Sequence, residues 1–192
     1  LNVKNLFAFL DWAAIRPMTE FEYEKACRGP LTPVPLEFSW GSTDFNNSYN
    51  VSNYGSSSAT NSVVSLGNSP MGTNRVFRVG MSATATSNRV IAGASYYGLS
   101  DMTGNVWESC IGGWGIDFSD FTTQNGDGNL YENGQSTENG SADMPTWTPS
   151  KIIVKGGGAN WQGTEWPSVS ARNFIQFNNY GFFQGGRGVR SF

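Results

Sequence analysis

Tyr97-Gly98-Leu99-Ser100-Asp101-Met102-Thr103-Gly104-Asn105-Val106-Trp107-Glu108 sits at the middle of this 192-residue chain. Gly104 and Asn105 are the two residue types that most readily enter the left-handed backbone region, so the segment is expected to turn sharply there. Trp107, two residues on, is large enough to anchor the core beneath that turn. Neither a helical nor a strand period runs through the stretch, and a turn pinned by one large aromatic is its simplest reading.

Toward the N-terminus the pattern is clearer. Val3, Leu6, Phe7, Leu10 and Ala14 recur at helical spacing from Asn2 to Ala14, and Arg16-Pro17 closes that segment. Thr19-Glu20-Phe21-Glu22 has the form of a capping box, which predicts a second helix from Thr19 to about Arg28, stopped by Gly29-Pro30. After Pro30 no further helix is expected. The polar run 41–62 and short apolar patches such as Val76-Phe77-Arg78-Val79 suggest irregular loops with a few short strands. Residues 125–140 are dense in turn dipeptides and read as a long surface loop. Lys151-Ile152-Ile153-Val154-Lys155 is the clearest strand, and Gly185 to Arg190 fits a last tight turn and strand. Two helices followed by loops and scattered short strands define an α+β domain, and with no linker between two apolar regions residues 1–192 are taken as a single domain.

Composition narrows the chemistry. Charged residues make up 14% of the chain, aromatics 14%, and 24 residues are glycine, which suits a fold dominated by loops whose surface is solvated by Asn, Ser, Thr and Gln. Histidine is absent, which removes imidazole relays and the commonest zinc and non-haem iron sites. The two cysteines, Cys27 and Cys110, have no metal-ligand spacing; buried free thiols, one disulfide and a reactive thiol all remain open. Residues 101–150 hold eight acidic residues and no Lys or Arg, so the rest of the chain is net basic. That basic part lacks the clustering that phosphate tracking requires, so no nucleic acid partner is expected. The acidic stretch is read as a solvated face, with Ca2+ as the alternative. No apolar run is long enough to span a bilayer, so a soluble chain without membrane insertion is expected; starting at Leu1, it reads as a processed or truncated piece.

Four segments together resemble one family. They are Arg16-Pro-Met-Thr-Glu-Phe-Glu-Tyr-Glu-Lys-Ala-Cys-Arg-Gly29, the 97–108 stretch, Lys155-Gly-Gly-Gly158, and Ser170-Ala-Arg-Asn173 with Gly186-Arg-Gly-Val-Arg190. In order and spacing they are similar to the formylglycine-generating enzyme (sulfatase-modifying factor) family, a branch of the C-type lectin-like fold. The resemblance implies that fold across nearly the whole chain. It also implies a possible Ca2+ at Asn105 and Glu108, for which hydrogen bonding to loop backbone is the alternative. The copper of the oxidising members needs two cysteines near the C-terminal motif, and no cysteine follows Cys110. The iron of the related sulfoxide synthases needs histidine. No catalytic residue is therefore assigned and no cofactor is required.

A narrower resemblance is to the variable proteins of diversity-generating retroelements, many of which start with similar Arg-Pro-Met-Thr-Glu and Cys-Arg-Gly-Pro segments and end in Gly-Gly-Arg-Gly-Val-Arg. It implies that 156–190 is a variable, ligand-binding segment. The candidate diversified or adjoining positions are Asn160, Gln162, Gly163, Glu165, Trp166, Phe174, Ile175, Gln176, Phe177, Asn178, Asn179, Tyr180, Phe182, Phe183 and Gln184. Gly156 to Gly158, Arg172 and Gly185 to Arg190 would be the fixed frame, with Trp161 as a buried support. Eight aromatics fall between Asn160 and Phe192 without a strand or helix period, a composition suited to a recognition surface. The expectation is a non-enzymatic receptor-recognition protein on a virus particle or cell surface, binding a protein or surface ligand. An enzyme of the same fold with other chemistry, and a structural envelope scaffold, are the alternatives.

Overall fold

The computed structural model describes residues 3–62, 67, 69–112, 126–131, 140–143, 152–160, 163–172 and 183–190. Helix α1 spans Val3–Trp12, with Val3, Leu6, Phe7 and Leu10 on its buried side. It ends before the expected Ala14, because Ala14 takes a left-handed conformation (φ 54°) and the Ile15 amide bonds back to Leu10 O at 3.0 Å. Strand β1 is Arg16–Pro17 and helix α2 is Glu20–Arg28. The capping box forms as the sequence dictates: the Glu22 amide donates to Thr19 Oγ1 at 3.1 Å and the Thr19 amide to Glu22 Oε2 at 2.9 Å. Arg16 locks the same carboxylate with two bonds of 2.8 and 2.7 Å, which fixes the strand against the helix start.

Strands β2 (Val51–Ser52) and β3 (Thr60–Asn61) form a short antiparallel ladder within the polar loop region. Val76 to Val79 stays irregular. A one-turn helix, α3 (Arg89–Ala92), interrupts the region where no helix is expected; Asn88 caps it by accepting from the Ile91 amide at 2.9 Å, and Gly93 closes it at φ 65°. One turn carries no period, so the pattern along the chain had no way to reveal it.

The centre of the molecule is a three-stranded sheet in the order β5-β4-β6, with β4 at Trp107–Ile111, β5 at Ile152–Lys155 and β6 at Gln184–Gly185. β4 pairs antiparallel with β5 and parallel with β6. Cys110 faces Ile153 across the ladder and Ile111 faces Ile152. Because successive residues point to opposite faces, Ile111 and Ile152 pack on Leu6, Phe7 and Leu10 of α1, whereas Cys110 and Ile153 pack on Tyr23 and Cys27 of α2. The sheet is thus covered on both faces, and every residue of β4 and β5 is buried. β7 (Gly188–Val189) returns to pair antiparallel with β1, joining the two ends of the chain. The result is α+β, with small sheets and long irregular connections.

Candidate functional site

The segment that carries the expected surface is held at three places. At its start, Gly104 (φ 85°) and Asn105 (φ 65°) make the left-handed turn expected of them. The turn lets the Gly104 amide donate to Gly156 O at 2.7 Å and Asn105 O accept from the Ala159 amide at 2.9 Å. Gly158 lies under the Trp107 ring, where a Cβ would come within 2.6 Å of Cδ1; this position requires glycine. Trp107 Nε1 then donates to Asn160 Oδ1 at 3.3 Å.

In the middle, the Val169 amide donates to Glu37 O at 2.9 Å, and Arg172 pairs with Glu20 (2.9 Å) and Glu24 of α2. Lys155, wholly buried, donates to Ala171 O at 2.7 Å and lies 3.5 Å from Glu24; burial pulls its ammonium below the usual lysine range. At the end, the Trp107 amide donates to Phe183 O at 2.7 Å. Arg187 donates to Glu108 at 2.5 Å and to Ser100 O at 2.8 Å. The predicted frame positions Gly156 to Gly158, Arg172 and Arg187 therefore all carry fixed contacts.

Between these anchors, Asn160, Gly163 and Glu165 are exposed and Trp166 and Phe183 half-buried. Gln184 is paired beside Trp107 in β6 and 8% exposed. Trp161, Gln162, Phe174, Ile175, Gln176, Phe177, Asn178, Asn179, Tyr180 and Phe182 lie outside the described residues.

Of the oxygens considered for Ca2+, Asn105 Oδ1 and Glu108 Oε1 have protein partners, while Glu108 Oε2 is buried without a hydrogen-bond partner among the described residues. Asn105, buried, accepts from the Phe77 amide at 2.9 Å and donates to Phe77 O at 3.0 Å, so its whole amide clamps loop backbone. Glu108 Oε1 accepts from Arg187 Nε at 2.5 Å. Burial raises the Glu108 carboxyl, with Arg187 opposing that rise. A carboxylate group that the sequence did not bring together is Asp11, Asp127 and Asp143, whose ligand oxygens lie within 4.8 Å of one another. Nothing in the spacing linked the end of α1 to residues from two turns more than a hundred positions later. Such oxygens suit a hard cation or a shared proton.

Both cysteines are free and buried, in one core cluster with Met18, Tyr23, Met102, Ile153 and Val169. Burial pushes the Cys27 thiol up to about 12 and the Cys110 thiol upward as well.

A buried helix-flanked sheet, a separate β1–β7 pair and an anchored segment presenting exposed polar positions make up a mixed α+β fold. The model of the sulfatase-modifying factor enzyme 1-like domain matches residues 2–191, and the chain belongs to that family. No curated protein and no solved structure matches the chain. The copper that the oxidising relatives carry does not fit the donors present: the only two thiols lie in the core, protonated, and no imidazole exists to replace them.

Proposed function

We propose that this domain is a non-enzymatic ligand-binding protein, a variable protein of a diversity-generating retroelement, which displays residues 156–190 as a recognition surface on a C-type lectin-like scaffold. The observation that carries this reading is the division of the C-terminal segment. Gly156 to Ala159 and Gln184 to Gly188 are held by backbone bonds, strand pairing and the Arg187–Glu108 pair, while Asn160, Gly163 and Glu165 between them face solvent. A frame of that kind tolerates many residues at exposed positions such as Gly163 and Glu165, whereas Asn160 also accepts from Trp107 Nε1. The buried thiols favour the same reading, since they leave the family's copper chemistry without ligands.

The ligand in this proposal is a protein or surface group of a host or neighbouring cell, met at a virus particle or cell surface. The domain needs no cofactor, nucleic acid or membrane insertion for it; among the described residues no helix is long and apolar enough to cross a membrane. Deep sequencing of the gene in its source population is the direct test. Variation concentrated in codons 160–184, with a near-copy repeat and a reverse transcriptase gene beside it, is the expected result. An invariant segment with neither neighbour would remove the diversity reading.

A further inference from the structure

Away from that segment, the loop regions 54–59 and 76–78 enclose a cleft of about 230 Å³. Its wall is Phe77, held from behind by Tyr49 stacked at 5.2 Å and met edge-on by Tyr54 at 5.7 Å and 86°. The wall is rigid, because Asn105 clamps the Phe77 backbone at both its amide and its carbonyl. Ala59 and Val76 complete the apolar lining, and Gly55 opens the mouth, where a Cβ would meet nothing within 4 Å.

The rim is cationic. No acidic residue occurs between Asp44 and Asp101, and the arginines of that stretch are Arg75, Arg78 and Arg89. Arg89 is turned inward onto the carbonyls of Cys27, Ser39 and Ala94. Arg75 is exposed, with its guanidinium carbon 5.5 Å from the centroid of the Tyr54 ring. Arg78 is oriented by Ala59 O (3.1 and 2.9 Å) and Val79 O (3.2 Å), neutral acceptors that leave its charge in place. Asp101, the carboxylate that senses Arg78, itself accepts from the Gly80 amide at 2.7 Å.

We propose that this cleft is a second recognition site, which takes one aromatic side chain of a protein partner together with the carboxylate of the residue following it. About 150 Å³ admits a benzene ring and drug-sized molecules need about 300 Å³ or more, so an open cleft of about 230 Å³ suits one ring with the rest of its chain outside. Chemistry decides against a sugar. Ser56 Oγ is engaged by Asn53 O and Ser58, and the Tyr54 hydroxyl by Val76 O, which leaves few groups for a polyhydroxyl ligand. The exposed Tyr54 ring and the guanidinium groups of Arg75 and Arg78 match a ring beside an anion. The cleft adjoins the C-terminal surface, since the Asn74 amide donates to Ala159 O at 2.9 Å, but the proposal goes beyond that surface and does not require it to vary.

The test is a titration of the 15N-labelled chain with acetyl-Gly-Phe-Asp-Gly-amide, followed by amide shifts. Saturable shifts confined to Gly55, Ser56, Val76 and Phe77 are expected. Replacing Phe by Ala or Asp by Asn in the peptide should weaken binding about tenfold, and so should Arg75→Glu or Tyr54→Ala in the protein. Both side chains are exposed, Tyr54 by 52%, so the remaining spectrum should be unchanged; if Tyr54→Ala disturbs it, Arg75→Glu decides. No shift at these amides with about 10 mM peptide, equal binding of the Asn peptide, unchanged binding by Arg75→Glu, or a stronger response to thymidine 5′-phosphate would overturn the proposal. Failure here leaves the C-terminal surface standing, and an invariant C-terminal segment leaves this cleft standing.

Discussion

Cys27 and Cys110 show how position on the fold sets the chemistry of a residue. A thiol moved by burial from 9.0 to about 12 holds about a thousandth of the usual thiolate near neutral pH, and the thiolate is the form that reacts or ligates a metal. Neither side chain is reachable without opening the contact between α2 and the central sheet. An aromatic disulfide reagent in mildly alkaline buffer should therefore label neither cysteine in the native chain and both after unfolding in guanidinium. Rapid native labelling of either would mean that the α2 face opens readily, and would restore reactive-thiol chemistry to consideration.

At the scale of elements, the end of α1 is tied to two distant turns through one buried side chain. Asp11 accepts from the Gly126 amide at 2.9 Å and from the Asp143 amide at 3.2 Å. Burial lifts its carboxyl to about 6 against the pull of those amides, and the nearby Asp143 and Asp127 charges push the same way. The folded state thus keeps a proton up to about 6 that the unfolded chain loses near 3.8. This contribution to stability is complete below 3.8 and is lost as pH rises through about 6. The melting temperature of the natural chain minus that of Asp11→Asn should accordingly grow as pH falls from about 6 toward 3.8. The opposite slope would mean that the three carboxylates are ionised together, as a bound cation would keep them. None of this was legible in the sequence, where Asp11 is one polar residue in an apolar helix. What was legible had a local cause: α2 from its capping box, β5 from β-branched residues, the Gly104-Asn105 turn from backbone tolerance. β4 was missed because Glu108 and Ser109 interrupt its apolar pattern. They are buried through partners far along the chain, Arg187 for Glu108 and Val154 for Ser109. The burial of Gln184 was not legible for the same reason, since it comes from the parallel pairing with Trp107.

Across the whole molecule, the recognition reading requires stability and surface to be separable, because a segment that carries alternative residues cannot also hold the fold together. The contacts predict where the line runs. Arg187→Ala leaves the Glu108 carboxyl buried without its partner, a loss of about 3 kcal/mol that protonation of the carboxyl keeps from being larger. Asn105→Ala leaves the Phe77 amide and carbonyl unmatched in a buried place and puts alanine at φ 65°, for a loss of about 2–4 kcal/mol. Against a total of about 5–15 kcal/mol, each is a large fraction. Glu165→Ser and Gly163→Ser, at exposed positions, should stay within about 0.5 kcal/mol. In a domain of this size 1 kcal/mol moves the melting temperature by about 2–4 °C, so Arg187→Ala should melt about 6–12 °C lower, Asn105→Ala about 4–16 °C lower, and the surface variants within about 2 °C of the natural chain. Calorimetry on the four single variants measures all of this directly. If Glu165→Ser and Gly163→Ser cost as much as Arg187→Ala, the segment between the anchors is part of the folding core, and a diversified surface there is physically untenable.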